Sequence, residues 1–160
     1  MKQKDLLQVT QEQLSRTLSF FPRAETKASI ILGINTGLLA LVASKFEALW
    51  CFEYWMLVIF IPLILNSLSI FFLYKSSSPQ LDGGDHSLVY FRGISTLKEK
   101  DYIQKFSKQS TNDHINDMLA QIWRNSEILK VKYDYLRYSY ILLLVSIVPV
   151  CITLILFSYE

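Results

Sequence analysis

Polar and apolar positions in this chain separate into blocks before they separate into faces. Three long runs carry no charge: Ala28 to Ser44, Tyr54 to Tyr74 and Ser139 to Tyr159. A helix rises about 1.5 Å per residue, so the two longer runs reach roughly 30 Å, the thickness of a bilayer's hydrocarbon core. The first run reaches only about 25 Å, but Lys27 and Lys45 flank it and can place their ammonium groups at headgroup depth while their stems stay in lipid. A single run of this kind also suits a buried core helix. Three in a chain of 160 residues do not, because too little protein is left to cover them. A cleaved signal peptide is not expected, since a polar, mixed-charge segment precedes the first run.

Faces appear outside these blocks. From about Asn112, the residues Ile115, Leu119, Ile122, Ser126, Leu129, Tyr133, Leu136 and Tyr140 recur at steps of four and three, with no Pro or Gly before Pro149. This heptad-like stripe asks for a partner helix, and its continuation into the third run predicts one helix of some 45 residues, roughly 70 Å long. Leu7, Leu14, Leu18 and Phe21 repeat at the same kind of spacing and form a natural packing partner. Between the second and third runs, KSSSPQLDGGDHS reads as a turn-rich connection. SLVYFRGIS reads as a short extended stretch ended by Gly93. Ser95 is the expected cap of a helix over TLKEKDYIQKFSK, with Leu97, Tyr102, Ile103 and Phe106 as a partial apolar stripe.

The predicted class is an all-α membrane protein with three transmembrane helices and a helical cytoplasmic segment continuing into the last span. The expected division is an amphipathic N-terminal helix at 1–27, spans at 28–45, 54–74 and 139–159, an outer loop at 46–53, and a cytoplasmic segment with an amphipathic stalk at 75–138. A hydrophobic content of 51% fits that class better than an average soluble domain. Trp50, Phe52, Tyr54 and Trp55 crowd one end of the second run and Tyr74 closes the other; Tyr133, Tyr135, Tyr138 and Tyr140 precede or open the third, with Phe157 and Tyr159 at its end. Such rings collect at membrane interfaces.

Charge sets the orientation. Of 16 Lys and Arg residues, five precede the first run, one lies in the loop after it, ten lie between 75 and 138, and none follows the third run. The positive-inside rule puts the N-terminus and the long segment in the cytoplasm. The inner parts then carry 15 basic and 11 acidic residues, a net of +4 that serves as a solvated face or meets anionic headgroups or an anionic ligand. Cys51 and Cys151 lie at different depths and are expected to be free.

Candidate chemistry is sparse. Ser29, Gly33 and Gly37 stand four apart, beside a second row of Thr36, Ala40 and Ser44, and small residues let membrane helices approach closely. Asn35 lies inside an apolar run and needs a partner or water, with Asn66, Ser67 and Ser69 as candidates. Helix packing or pore lining is therefore expected of Ser29, Gly33, Asn35, Gly37 and Asn66. Pro62 and Pro149 are expected kinks. Glu25 and Lys27 are read together as interface geometry, with gating second. Asp82, Asp85 and His86 are ordinary turn residues, so no metal site is expected. No catalytic constellation, phosphate loop or dinucleotide turn occurs. The chain is not read as an enzyme, and no nucleic-acid partner is expected.

RAETKASIILGINTGLLAL resembles the start of the first span in the transmembrane effector family of bacterial Pycsar anti-phage systems, whose members show an Ala-Asp-Thr-Lys-Ala-like signature before a Leu/Gly/Asn run. Ala24, Glu25, Thr26, Lys27 and Ala28 stand in those places, with Glu for Asp. SLVYFRGISTLKEKDYIQKF and DMLAQIWRNSEILKVKYDYLRYSYILLL are similar to the family's Gly turn with short helix and to its last helix, so the likeness covers roughly 15–150. The resemblance implies an anti-phage effector in the bacterial inner membrane that impairs it when a pyrimidine nucleotide cyclase supplies cyclic CMP or cyclic UMP. The lipid bilayer and further copies of the chain are then its partners. No separate nucleotide-binding domain is visible. Arg92, Lys98 or Arg124 would meet the cyclic phosphate and Tyr90 or Trp123 would stack on the base, because those tasks need cations and aromatic faces. The alternatives are an accessory subunit of a membrane complex and a holin-like toxin needing no ligand.

Overall fold

The computed structural model describes residues 3–44, 56–78 and 87–156. They form five helices, α1 (Gln3–Ala43), α2 (Met56–Ser77), α3 (Phe91–Ser95), α4 (Glu99–Lys108) and α5 (Thr111–Leu156), with no strand among the described residues. The expected outer loop, its aromatics Trp50 to Trp55, Lys45, Cys51, the turn residues Asp82, Asp85 and His86, and Phe157 and Tyr159 lie outside them. α1, the Ile59–Ser77 part of α2, and α5 are long and apolar enough to cross a membrane, and the chain is an all-α membrane protein. α1 is unbroken through Pro22, so the boundary expected after residue 27 falls inside one helix. α2 and α5 likewise continue through Pro62 and Pro149.

Two compact units divide the chain: Met1–Pro22 with Pro79–Lys130, called here the polar unit, and Arg23–Ser78 with Val131–Glu160, the membrane unit.

In the membrane unit every helix buries positions spaced alternately by three and four. These are Ala24, Ala28, Ile31, Asn35, the half-buried Leu38 and Val42 on α1, Ile59, Pro62, Asn66, Ser69, Leu73 and Ser76 on α2, and Lys132, Leu136, Ser139, Leu143, Ser146, Val150 and Thr153 on α5. A strict repeat of seven is the spacing of left-handed helix packing, which keeps one seam facing its neighbours. Large apolar side chains point the other way: Ile30, Ile34, Phe60, Ile64, Phe71, Val148 and Ile155 are all exposed. Lipid tails are as apolar as leucine, so this outward face has no tendency to turn in, and small or polar residues take the interior. Val42, Ile59 and Val150 close one end of the seam, while Ala24, Ala28, Ile31, Leu73, Leu136 and Leu143 form the larger apolar cluster.

The polar unit is assembled mainly on α1 and α5. Ser110 starts α5 with a reciprocal cap: its Oγ accepts from Asp113 N (3.1 Å) and donates to Asp113 Oδ2 (2.6 Å), which satisfies one of the helix's unpaired amides. Gln3 donates to Asn112 at 2.9 Å, joining the starts of α1 and α5. Residue 90 is extended, but 91–95 turn into the short helix α3 where an extended stretch was expected. Ser87 accounts for the difference, since its Oγ accepts from the amides of Val89 and Tyr90 and starts the turn. Asp117 Oδ2 accepts from Leu88 N at 2.8 Å and ties this segment to α5. Ser95 does not cap α4; its hydroxyl donates back to Arg92 O, and Lys98 occupies the cap position without a side-chain bond.

The stripe expected on α5 has the right period and a partly wrong phase. Ile115, Leu129 and Leu136 are buried, but Leu119, Ser126 and Tyr140 are exposed and Met118, Asn125, Lys132 and Ser139 lie inward instead. The seam alternates apolar with polar residues, so the most hydrophobic positions do not mark it.

Candidate functional site: the polar interior of the membrane bundle

Asn35, Asn66, Ser69, Ser139, Ser146 and Thr153 have no exposed surface at all. They are stacked along the three helices as bonded layers. Asn35 Nδ2 donates to Ser69 Oγ at 3.0 Å and to Ile31 O at 2.9 Å. Ser69 Oγ in turn donates to Ser139 O at 2.9 Å and lies 2.8 Å from Ser139 Oγ, so α1, α2 and α5 meet in one layer. A second layer joins Ser146 Oγ to Asn66 Oδ1 at 3.4 Å, with Asn66 Nδ2 also donating to Pro62 O. Thr153 donates to Pro149 O at 2.8 Å, within α5.

A charged layer lies at the other end. Lys132 is nearly buried and donates to Glu25 Oε1 at 2.5 Å, while Ser76 Oγ donates to Lys132 O at 3.0 Å. Glu25 is half exposed, so water screens this pair and its contribution is nearer that of a surface bridge than of a buried one. Lys27 does not share in it; its Nζ lies 5.4 Å from the centroid of the Tyr133 ring. The two charges read together from the sequence thus have separate partners.

The bundle's bonds are mostly made, with one exception. Asn35 Oδ1 is buried without a hydrogen-bond partner among the described residues. Hydrogen bonds between membrane helices average about 0.6 kcal/mol each, so the layers specify register more than they supply stability. Chemically the interior can pair a donor or acceptor on a neighbouring helix, or solvate water if the helices part.

The expected packing residues divide accordingly. Asn35 and Asn66 are in the layers, and Ser69 is the α2 partner of Asn35. Ser29, Gly33 and Gly37 are exposed, and a Cβ added to either glycine would meet nothing within 4 Å among the described residues. Packing among the chain's own helices therefore does not use that row, because a repeat of four drifts away from a seam that repeats every seven.

In the polar unit, a pocket of about 510 Å³ is lined by Leu88, Gly93, Thr96, Leu97, Lys105 and Lys108, a size within the range of small-molecule sites. None of Tyr90, Arg92, Lys98, Trp123 or Arg124 lines it. Tyr90 packs on Phe91 with ring centroids 4.7 Å apart, Arg92 is half-buried, and Lys98 is exposed. Trp123 is 66% exposed and Arg124 next to it is half-buried, with its Nε lacking a hydrogen-bond partner among the described residues. Adjacent residues on a helix diverge by about 100°, so the two side chains leave α5 in different directions. Lys105 and Lys108 are not among the residues expected from the sequence; both stand in the last turn of α4, where a cation complements the helix's C-terminal end.

A family model, PycTM, described as the Pycsar effector protein domain, matches residues 9–159. No curated protein and no solved structure matches the chain.

Proposed function

The chain belongs to the Pycsar effector protein domain family and is an anti-phage membrane effector; we propose that cyclic CMP or cyclic UMP, made by a paired pyrimidine nucleotide cyclase, triggers it to impair the bacterial inner membrane and abort infection. The observation that carries this reading is the fully buried polar interior of the three-helix bundle. Weak, specific bonds hold the helices in register, and the same side chains can line a wet path when the helices re-pack. A core of interlocked leucines would have nothing to offer water.

In this reading the N-terminus faces the cytoplasm, as the distribution of Lys and Arg directs. The exposed row of Ser29, Gly33 and Gly37 is the close-approach face for a second copy, so the active form is a homo-oligomer. The nucleotide binds in the polar unit. Tyr90, Arg92, Lys98, Trp123 and Arg124 are tested as its ligands together with Lys105 and Lys108, which line the pocket.

Dye release from liposomes bearing the purified chain is the test. Release only with cyclic CMP or cyclic UMP supports the gated effector. Release without nucleotide points instead to a holin-like toxin, and none under either condition favours an accessory subunit.

A further inference from the structure

A second pocket, of about 440 Å³, lies in the membrane unit between α1 and α5. Its walls are Ile30, Leu136, Tyr133 and Tyr140, and Lys27 and Arg137 also line it. These two cations are the last charges before the uncharged runs of their helices, which start at Ala28 and Ser139. The pocket is thus amphipathic along the direction the lipid chains take. Cations stand at the membrane boundary, and apolar side chains continue beyond it through the exposed Ile34, Ile141 and Leu144.

We propose that this groove is a binding site for one anionic phospholipid, its phosphate held by Lys27 and Arg137 and an acyl chain laid against Ile30, Leu136 and Tyr140. Charge complementarity selects the occupant. Two cations at one end of an otherwise apolar groove match a negative headgroup joined to a hydrocarbon tail, and basic pockets between membrane helices bind such headgroups. The carboxylates nearby do not cancel the pair. Glu25 is engaged by Lys132, and Asp134, three residues before Arg137 on α5, is exposed and does not line the groove. Lys27 Nζ lies 5.4 Å from the centroid of the Tyr133 ring, and both residues line the groove. Tyr133, one turn before Arg137, then stands on the headgroup side of the cations, and Tyr140, about one turn after it, on the acyl side. The proposal rests on the membrane reading of the helices and not on the nucleotide trigger, so a failed leakage assay leaves it standing.

The test is native mass spectrometry of the full chain released from micelles doped equally with phosphatidylglycerol and phosphatidylcholine. Phosphatidylglycerol is expected to be retained over phosphatidylcholine by about fivefold or more for each cation engaged. The double variant Lys27→Gln/Arg137→Gln is expected to lose the preference, and Lys100→Gln/Lys130→Gln, with the same change in charge, to keep it. Ile30→Trp fills the groove with both cations intact and is expected to lose the adduct, which covers the case in which the double variant fails to fold. Equal retention of the two lipids, equal loss in both double variants, or an adduct undiminished by Ile30→Trp overturns the proposal. Displacement by millimolar inorganic phosphate also overturns it, by identifying a free-anion site in place of a lipid site.

Discussion

The two units bury polar side chains in different ways. In the membrane unit, Asn35, Ser69, Ser139, Asn66 and Ser146 bond across helices. In the polar unit, Thr10 and Thr17 donate back to carbonyls of their own helix, and Gln121 Oε1, His114 Nδ1 and Arg124 Nε are buried with no hydrogen-bond partner among the described residues. Within lipid no water competes for a polar group, so it must bond to its own helix, as Thr153 does to Pro149 O, or across a helix interface, and only the pairing across an interface fixes register. Near water a polar group has other outlets. One unit is therefore pinned by polar contacts between its helices, and the other leaves several buried polar atoms without a partner among the described residues.

The strongest way to break this contrast is to remove a layer. Ser69→Leu places a bulky side chain where no surface is exposed and deletes the bonds to Asn35 and Ser139, so a loss of about 1–3 kcal/mol is expected. Unfolding of the reconstituted chain in SDS measures it, and an unchanged midpoint would show that the layer does not hold the bundle. Asp117→Ala tests the polar unit at a single point. It strands Leu88 N and is expected to cost about 1 kcal/mol, read as faster hydrogen exchange at residues 88–90 with the spans unaffected.

Lys132→Ala removes a pair whose carboxylate is half exposed, and a loss of up to about 1 kcal/mol is expected. A much larger loss in the same SDS titration would mean that Glu25 is shielded from water in the bilayer. Gly37→Ala has the smallest effect on the single chain: its Cβ meets nothing, so the unfolding midpoint should move by less than about 0.5 kcal/mol. If that row is instead the contact with a second copy, crosslinking between copies falls while the midpoint stays.

Much of this was legible along the chain. The lengths of the uncharged runs give three spans, and an unbroken stretch from Thr111 to Leu156 gives the long last helix. Asn35 announced its need for a partner because an amide in an apolar run is costly, and Ser69 was among the candidates named for it. The Pycsar likeness was carried by residues 23–41 and by the order of later segments, and the family match covers 9–159. The ligand residues were less legible. Tyr90, Arg92, Lys98, Trp123 and Arg124 are nucleotide candidates by residue type alone, and the cations that line the pocket are Lys105 and Lys108. Which cations edge a cavity depends on how α3 and α4 fold beside each other, which residue type does not encode.

Sequence alone determined how many helices cross the membrane and the period at which each of the helices repeats, since both follow from helix rise, helix twist and the exclusion of charge from hydrocarbon. Tertiary structure decided the phase. Leu119 and Tyr140 face outward while Lys132 and Ser139 face inward, Glu25 pairs with Lys132 and not with Lys27, and the Gly33 and Gly37 row is left uncovered. Phase is hard to read in such a chain for a physical reason. In water the hydrophobic face of a helix is the buried one. In lipid both faces are acceptably apolar, and shape and hydrogen bonding between particular neighbours choose which turns in.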